Sequence, residues 1–74
     1  MSRRYVGTEV LIDDLSGDIK TIDDHVEINT TSIHNYMKDS GYHFVGFYDD
    51  GLVYTKANAN QNTYKRVFLQ EMED

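Results

Sequence analysis

The chain contains no cysteine, no proline and no tryptophan among its 74 residues. Without cysteine it has neither disulfides nor thiolate metal sites, the staples of many very small secreted domains, so the apolar core must carry stability alone. That favours a reducing, intracellular setting, and a cytoplasmic location is the expectation. Without proline, rigid linkers and slow isomerisation steps lose their commonest source. The two arginines in MSRRYVGTEV are not followed by an apolar stretch, and nowhere do about 18 apolar residues run together, so neither a secretory leader nor a membrane span is expected. Bases are scarce as well. Seven Lys and Arg face thirteen Asp and Glu, for a formal charge of −6, which opposes attraction to phosphate backbones and argues against direct nucleic-acid binding.

What remains is enough for one small folded unit. With 39% hydrophobic and 12% aromatic residues, the chain is too apolar for a disordered acidic tail. A single domain spanning residues 1–74 is expected, burying about 60% of the surface exposed on unfolding.

The stretch from Ile33 to Tyr54 is the most clearly patterned. Asn29, Thr30 and Thr31 are competent helix N-caps, and Ile33, Tyr36, Met37 and Ser40 follow with the i, i+3, i+4, i+7 spacing of one apolar stripe. Gly41 ends the helix. With glycine left-handed at C′, Tyr42 becomes C″ and Met37 becomes C3, the pair whose apolar contact accompanies a Schellman motif. A helix of about ten residues does not survive alone in water, so it must dock on a sheet. Ile33, Met37, Phe44 or Phe47, and Val67 are the expected shared core.

YHFVGFY, from Tyr42 to Tyr48, is the strongest strand signal. Asp49-Asp50-Gly51 supplies a turn before a strand over Leu52 to Thr55. Strict alternation sets Phe44 and Tyr48 on one side of YHFVGFY and Val45 and Phe47 on the other, the pattern of a central strand covered on both faces. Upstream, Thr8 to Ile12 and Ile19 to Ile22 read as a first hairpin around DDLSGD, and DDHVEI either extends its second strand or leads into the helix. ANANQN is a polar loop, Thr63 to Gln70 a last strand, and EMED a fraying tail. The expected fold is α+β, with element order ββαβββ and one short helix on a twisted antiparallel sheet of about five strands.

Catalytic and metal signatures are weak. His25, His34 and His43 lie on three different elements, and nothing in their spacing promises convergence on one metal ion. Asp13, Asp14 and Asp18 near Gly17 lack the residue order of a calcium loop. The Asp13-Asp14, Asp23-Asp24 and Asp49-Asp50 pairs are adjacent in sequence, and adjacent side chains tend to point apart rather than form an acid-base dyad. No cofactor, no metal and no enzymatic activity are expected.

Function is therefore expected at the surface. One helix covers only one face of such a sheet, so several of the six tyrosines and three phenylalanines should stay accessible, as interface residues do. The leading reading is an acidic, non-enzymatic protein-binding module that inhibits or regulates a larger protein, with no membrane role. Tyr48, Leu52 and Tyr54 would act as anchors and Asp49 and Asp50 as rim. Small acidic sequestering proteins are common among viral and mobile-element genes, and the acid pairs together with Glu71, Glu73 and Asp74 are candidates for mimicry of phosphates. Two other readings follow. One is a self-associating assembly protein, in the simplest case a homodimer. The other is a nucleotide-like ligand sponge that stacks a ring on Tyr48 and Tyr54 and holds phosphates with Arg3, Arg4, Lys65 or Arg66.

Overall fold

A computed structural model of the chain describes residues 2–72. Its elements are β1 (Arg3–Asp13), β2 (Ile19–Thr30), α1 (Ile33–Asp39), β3 (His43–Tyr48), β4 (Gly51–Asn58), a 3-10 turn (Ala59–Gln61) and β5 (Thr63–Met72). All strand pairs are antiparallel, in the order β2-β1-β5-β4-β3. This is the expected ββαβββ arrangement of one short helix and five strands. The helix connects the two opposite edges of the sheet.

Both strands of the first hairpin are longer than their apolar runs suggest. DDHVEI is strand throughout, with Val26 opposite Gly7 and Ile28 opposite Tyr5, after a bulge between Gly7 and Glu9. At the far end β5 continues to Met72. The expected fraying of EMED therefore fails for Glu71 and Met72, while Glu73 and Asp74 lie outside the described residues.

The helix starts later than expected because Asn29 and Thr30 are still paired to β1. Ser32 is the N-cap and its side chain makes no capping bond. Instead, the Thr30 hydroxyl oxygen accepts the Ser32 N–H at 3.2 Å and turns the chain out of β2. The helix end follows the sequence closely. Gly41 has φ +87°, its N–H reaches the Lys38 carbonyl at 3.0 Å, and the Tyr42 N–H reaches the Met37 carbonyl at 2.9 Å. These are the two bonds of a Schellman motif. Lys56 strengthens the end by donating to the Ser40 carbonyl at 2.9 Å, which places a cation at the negative pole of the helix.

The core lies between α1 and one sheet face. Tyr5, Ile33, Met37, Tyr54, Val67 and Leu69 form the buried cluster, and Val26, Ile28, Tyr42 and Leu52 pack partly buried against it. Ile33, Met37 and Val67 thus share a core as expected, but Phe44 and Phe47 do not. They are 44% and 76% exposed, and Tyr5, Tyr54 and Leu69 occupy the interior in their place.

The cause is the position of β3. It is an edge strand rather than a central one, and the register slips by one residue between Phe44 and Gly46. Because an extra residue reverses the alternation of side chains, Phe44 (opposite Tyr54) and Phe47 (opposite Leu52) project from the same face. Tyr48, opposite Gly51, projects from the other.

Candidate interaction surface

The seven residues of α1 make a rod of about 10 Å at 1.5 Å per residue, against a longest molecular dimension of 40 Å. Among the described residues α1 is the one α-helix set against the sheet. The face away from the helix, called here the open face, has no α-helix over it, although Ile12 near its β1–β2 end is buried.

Strand pairing identifies what it carries. Val10 lies between Ile22 on β2 and Arg66 on β5, Ile12 between Ile19 and Tyr64, and Phe68 between Thr8 and Val53. Ile19 and Ile22 are 56% and 58% exposed, and Tyr48 is 70% exposed. A groove of about 540 Å³ runs across this face toward the β3 edge, lined by Val10, Val45, Phe47, Tyr48, Val53, Phe68 and neighbouring backbone, with Arg66 beside them. Its volume falls within the range of ordinary ligand and peptide pockets, about 300–1,000 Å³. The Tyr48 and Phe68 rings meet edge to face at 6.0 Å, a favourable aromatic geometry that orders the wall.

Arg66 is the electrostatic feature of the groove. Its guanidinium sits 6.0 Å over the Tyr64 ring, and its cross-strand neighbours Val10 and Thr55 are uncharged. Arg3, Arg4 and Lys65 are ion-paired to Glu71, Glu27 and Glu9. Arg66 has no such pair among the described residues. The acids lie elsewhere, with Asp13, Asp14 and Asp18 around the β1–β2 turn and Asp49 and Asp50 in the β3–β4 turn.

The residues expected to form one binding patch are split by the sheet. Tyr48 stands on the open face. Asp49 and Asp50 form the two-residue hairpin turn, both at positive φ (+50° and +63°), the backbone of a type I′ turn. Leu52 and Tyr54 face the helix: Leu52 packs against the core, and Tyr54 is 1% exposed with its hydroxyl 2.8 Å from His34 Nδ1. Neither is a surface anchor in this fold. The same split removes the nucleotide sponge as drawn, since no ring can stack on Tyr48 and Tyr54 together. Val45, Phe68, Ile22 and Arg66 stand on the open face with Tyr48, and of these only Arg66 was a sequence candidate, as a phosphate ligand. For Arg66 and Phe68 the signal was available, because β5 alternates Val67 and Leu69 against Arg66 and Phe68, and only one of those sets can face the helix.

The remaining candidates are absorbed locally. His34 bonds Tyr54 and meets the Phe44 ring edge-on at 5.1 Å, and among the described residues no three His, Asp or Glu side chains gather around a common point. Asp13 accepts the N–H groups of Leu15 and Ser16 at 2.9 and 3.2 Å. These backbone bonds hold its carboxyl below the usual carboxylate range, as expected for an acceptor fixed within its own turn. Tyr42 is shifted the other way, first by burial and then by its 2.5 Å hydrogen bond to Glu9 Oε2. Burial also raises Tyr54, with Tyr5 contributing. Both phenols are thereby held in their protonated form and away from nucleophilic or basic roles.

No protein-family model, curated protein or solved structure matches the chain. Among the described residues no helix is long and apolar enough to cross a membrane.

Proposed function

We propose that the protein is a non-enzymatic binding module of the inhibitor or regulator type, which acts by laying its open sheet face against a larger protein. The observation that supports this reading is the helix-free apolar face itself. Five strands have one α-helix between them, and on the side the helix does not reach Val45 and Tyr48 line a groove while Ile19 and Ile22 stand exposed on β2. Contiguous apolar surface of this kind on a small acidic domain is the mark of a docking site.

Arg66 narrows the partner. A cation set among apolar groups, on a chain of net charge −6, is matched by an acidic side chain flanked by aliphatic or aromatic ones. Tyr48, ordered by Phe68, is the aromatic anchor, and Asp49 and Asp50 stand at the rim. The acidic turns then govern the rate and salt dependence of approach, and the apolar groove governs residence time.

The test is affinity capture from the native host's extract with the immobilised chain, in parallel with Tyr48→Ala, Arg66→Glu and a helix-surface control, Tyr36→Ala. A protein retained by the wild type and by Tyr36→Ala, but lost with both open-face variants, is the expected result. With that partner in hand, Tyr48→Ala should raise the dissociation rate by an amount worth about 2 kcal/mol. Capture unaffected by either open-face variant would refute the assignment.

A further inference from the structure

The two edges of the sheet are built differently. β2 carries Lys20, Asp23, Asp24 and Glu27 along its 12 residues, and charges of this kind deter another strand from adding to an edge. β3 carries no formally charged residue along its six, and Phe44, Val45 and Phe47 are 44%, 54% and 76% exposed. The bulge, elsewhere a device that turns an edge away, here gathers Phe44 and Phe47 on one side with ring centroids 5.3 Å apart. Apolar surface, free strand edge and absence of charge coincide on one element.

We infer that β3 is a self-association edge, through which two copies pair β3 with β3 antiparallel about a two-fold axis and join their sheets into one. The occupant is argued from charge. At the start of β3 stand Lys56, bonded to Ser40 O, and Lys38 in the last helical turn, offset by Asp39. At its end stand Asp49 and Asp50. Antiparallel pairing carries the acidic turn of each copy to the basic end of the other, so the attraction is made twice. Parallel pairing would instead set acidic turn beside acidic turn.

A register centred between Val45 and Gly46 also sets Phe44 of one copy opposite Phe47 of the other, closing an aromatic cluster across the seam on the helix side. This interface is small and therefore concentration-dependent. It shares Val45, Phe47, Asp49 and Asp50 with the open-face reading, and Ile22 and Arg66, which take no part in it, distinguish the two.

The experiment is size-exclusion chromatography with light scattering, from low micromolar to millimolar protein. The mass should rise from one chain toward two. Val45→Lys should raise the dissociation constant by about tenfold or more, equivalent to about 1.4 kcal/mol. Asp49→Asn/Asp50→Asn should weaken association and flatten its salt dependence, and Ile22→Lys on the open face should leave it unchanged. Amide exchange on the wild type provides a second readout that needs no variant: β3 amides gain protection with concentration and β2 amides do not. A single-chain mass at every concentration would overturn the inference. So would a dimer broken by Ile22→Lys and indifferent to Val45→Lys, or concentration-dependent protection confined to β2.

Discussion

Replacing Gly41 tests the helix end, the joint on which the β2-to-β3 crossing depends. At φ +87° an L side chain is strained, by roughly 1–2 kcal/mol for a simple one. A Cβ built on Gly41 would also lie 3.3 Å from Lys56 Cε, a tight contact that the flexible lysine relieves by moving a few tenths of an ångström, so the strain dominates. Alanine should therefore cost about 1–2 kcal/mol and valine, β-branched and worse at positive φ, about 2–3 kcal/mol. Asparagine, which tolerates the left-handed region, should cost least. For 74 residues the whole stability is expected at about 4–11 kcal/mol, so valine removes a substantial share of it. With a urea slope of about 1 kcal/mol/M for so small a domain, the valine midpoint should fall by about 2–3 M. Lys56→Met measured alongside separates the backbone strain from the lysine contact. The reasoning fails if alanine is milder than asparagine, or if Lys56→Met alone costs as much as Gly41→Val.

Three further outcomes are expected. Gly7 sits where β1 meets β5, and a Cβ there would lie 1.7 Å from the Phe68 carbonyl oxygen, so Gly7→Ala must force the central ladder apart; circular dichroism should show it unfolded or weakened by about 3 kcal/mol or more. Asp50 is at φ +63° in the hairpin turn, and Asp50→Gly should raise the thermal stability by about 0.5–1 kcal/mol, since glycine is preferred at that position of a type I′ turn. The raised Tyr42 phenol stabilises the fold fully below the unfolded tyrosine pKa of about 10, and that contribution is lost as pH climbs from there toward the folded value; Tyr42→Phe should make alkaline unfolding less steep, with Tyr54 leaving a residual dependence.

Much of the fold was legible because local chemistry announces local structure. Gly41 after an apolar stripe indicated the helix end, and the Asp-Asp turn after YHFVGFY indicated the hairpin. Strand order was not, because no local signal records which edge a strand will find. β3 looked central because both its faces are apolar, and in the structure those faces are exposed at an edge. The bulge compounded this. An extra residue at Val45 leaves no mark in composition, yet it exchanges the faces of everything beyond it, so Tyr48 and Tyr54 were placed together when the sheet separates them. Tyr54 is a further lesson, since the partner of its buried hydroxyl is His34, 20 residues away on another element.

The strand order has a kinetic meaning as well. β1 and β2 form a hairpin, and β3, β4 and β5 form a meander in which every neighbour in space is a neighbour in sequence. The two pieces meet in a single ladder between β1 and β5, running from Arg4 opposite Met72 to Asp13 opposite Thr63. Both pieces can close early over short loops, whereas the joining ladder spans nearly the whole chain and bears the greater loop-closure entropy. Folding should thus end with this zipper, with Gly7 in its path, and until it shuts both β1 and β5 offer unpaired edges to any other chain in the same state.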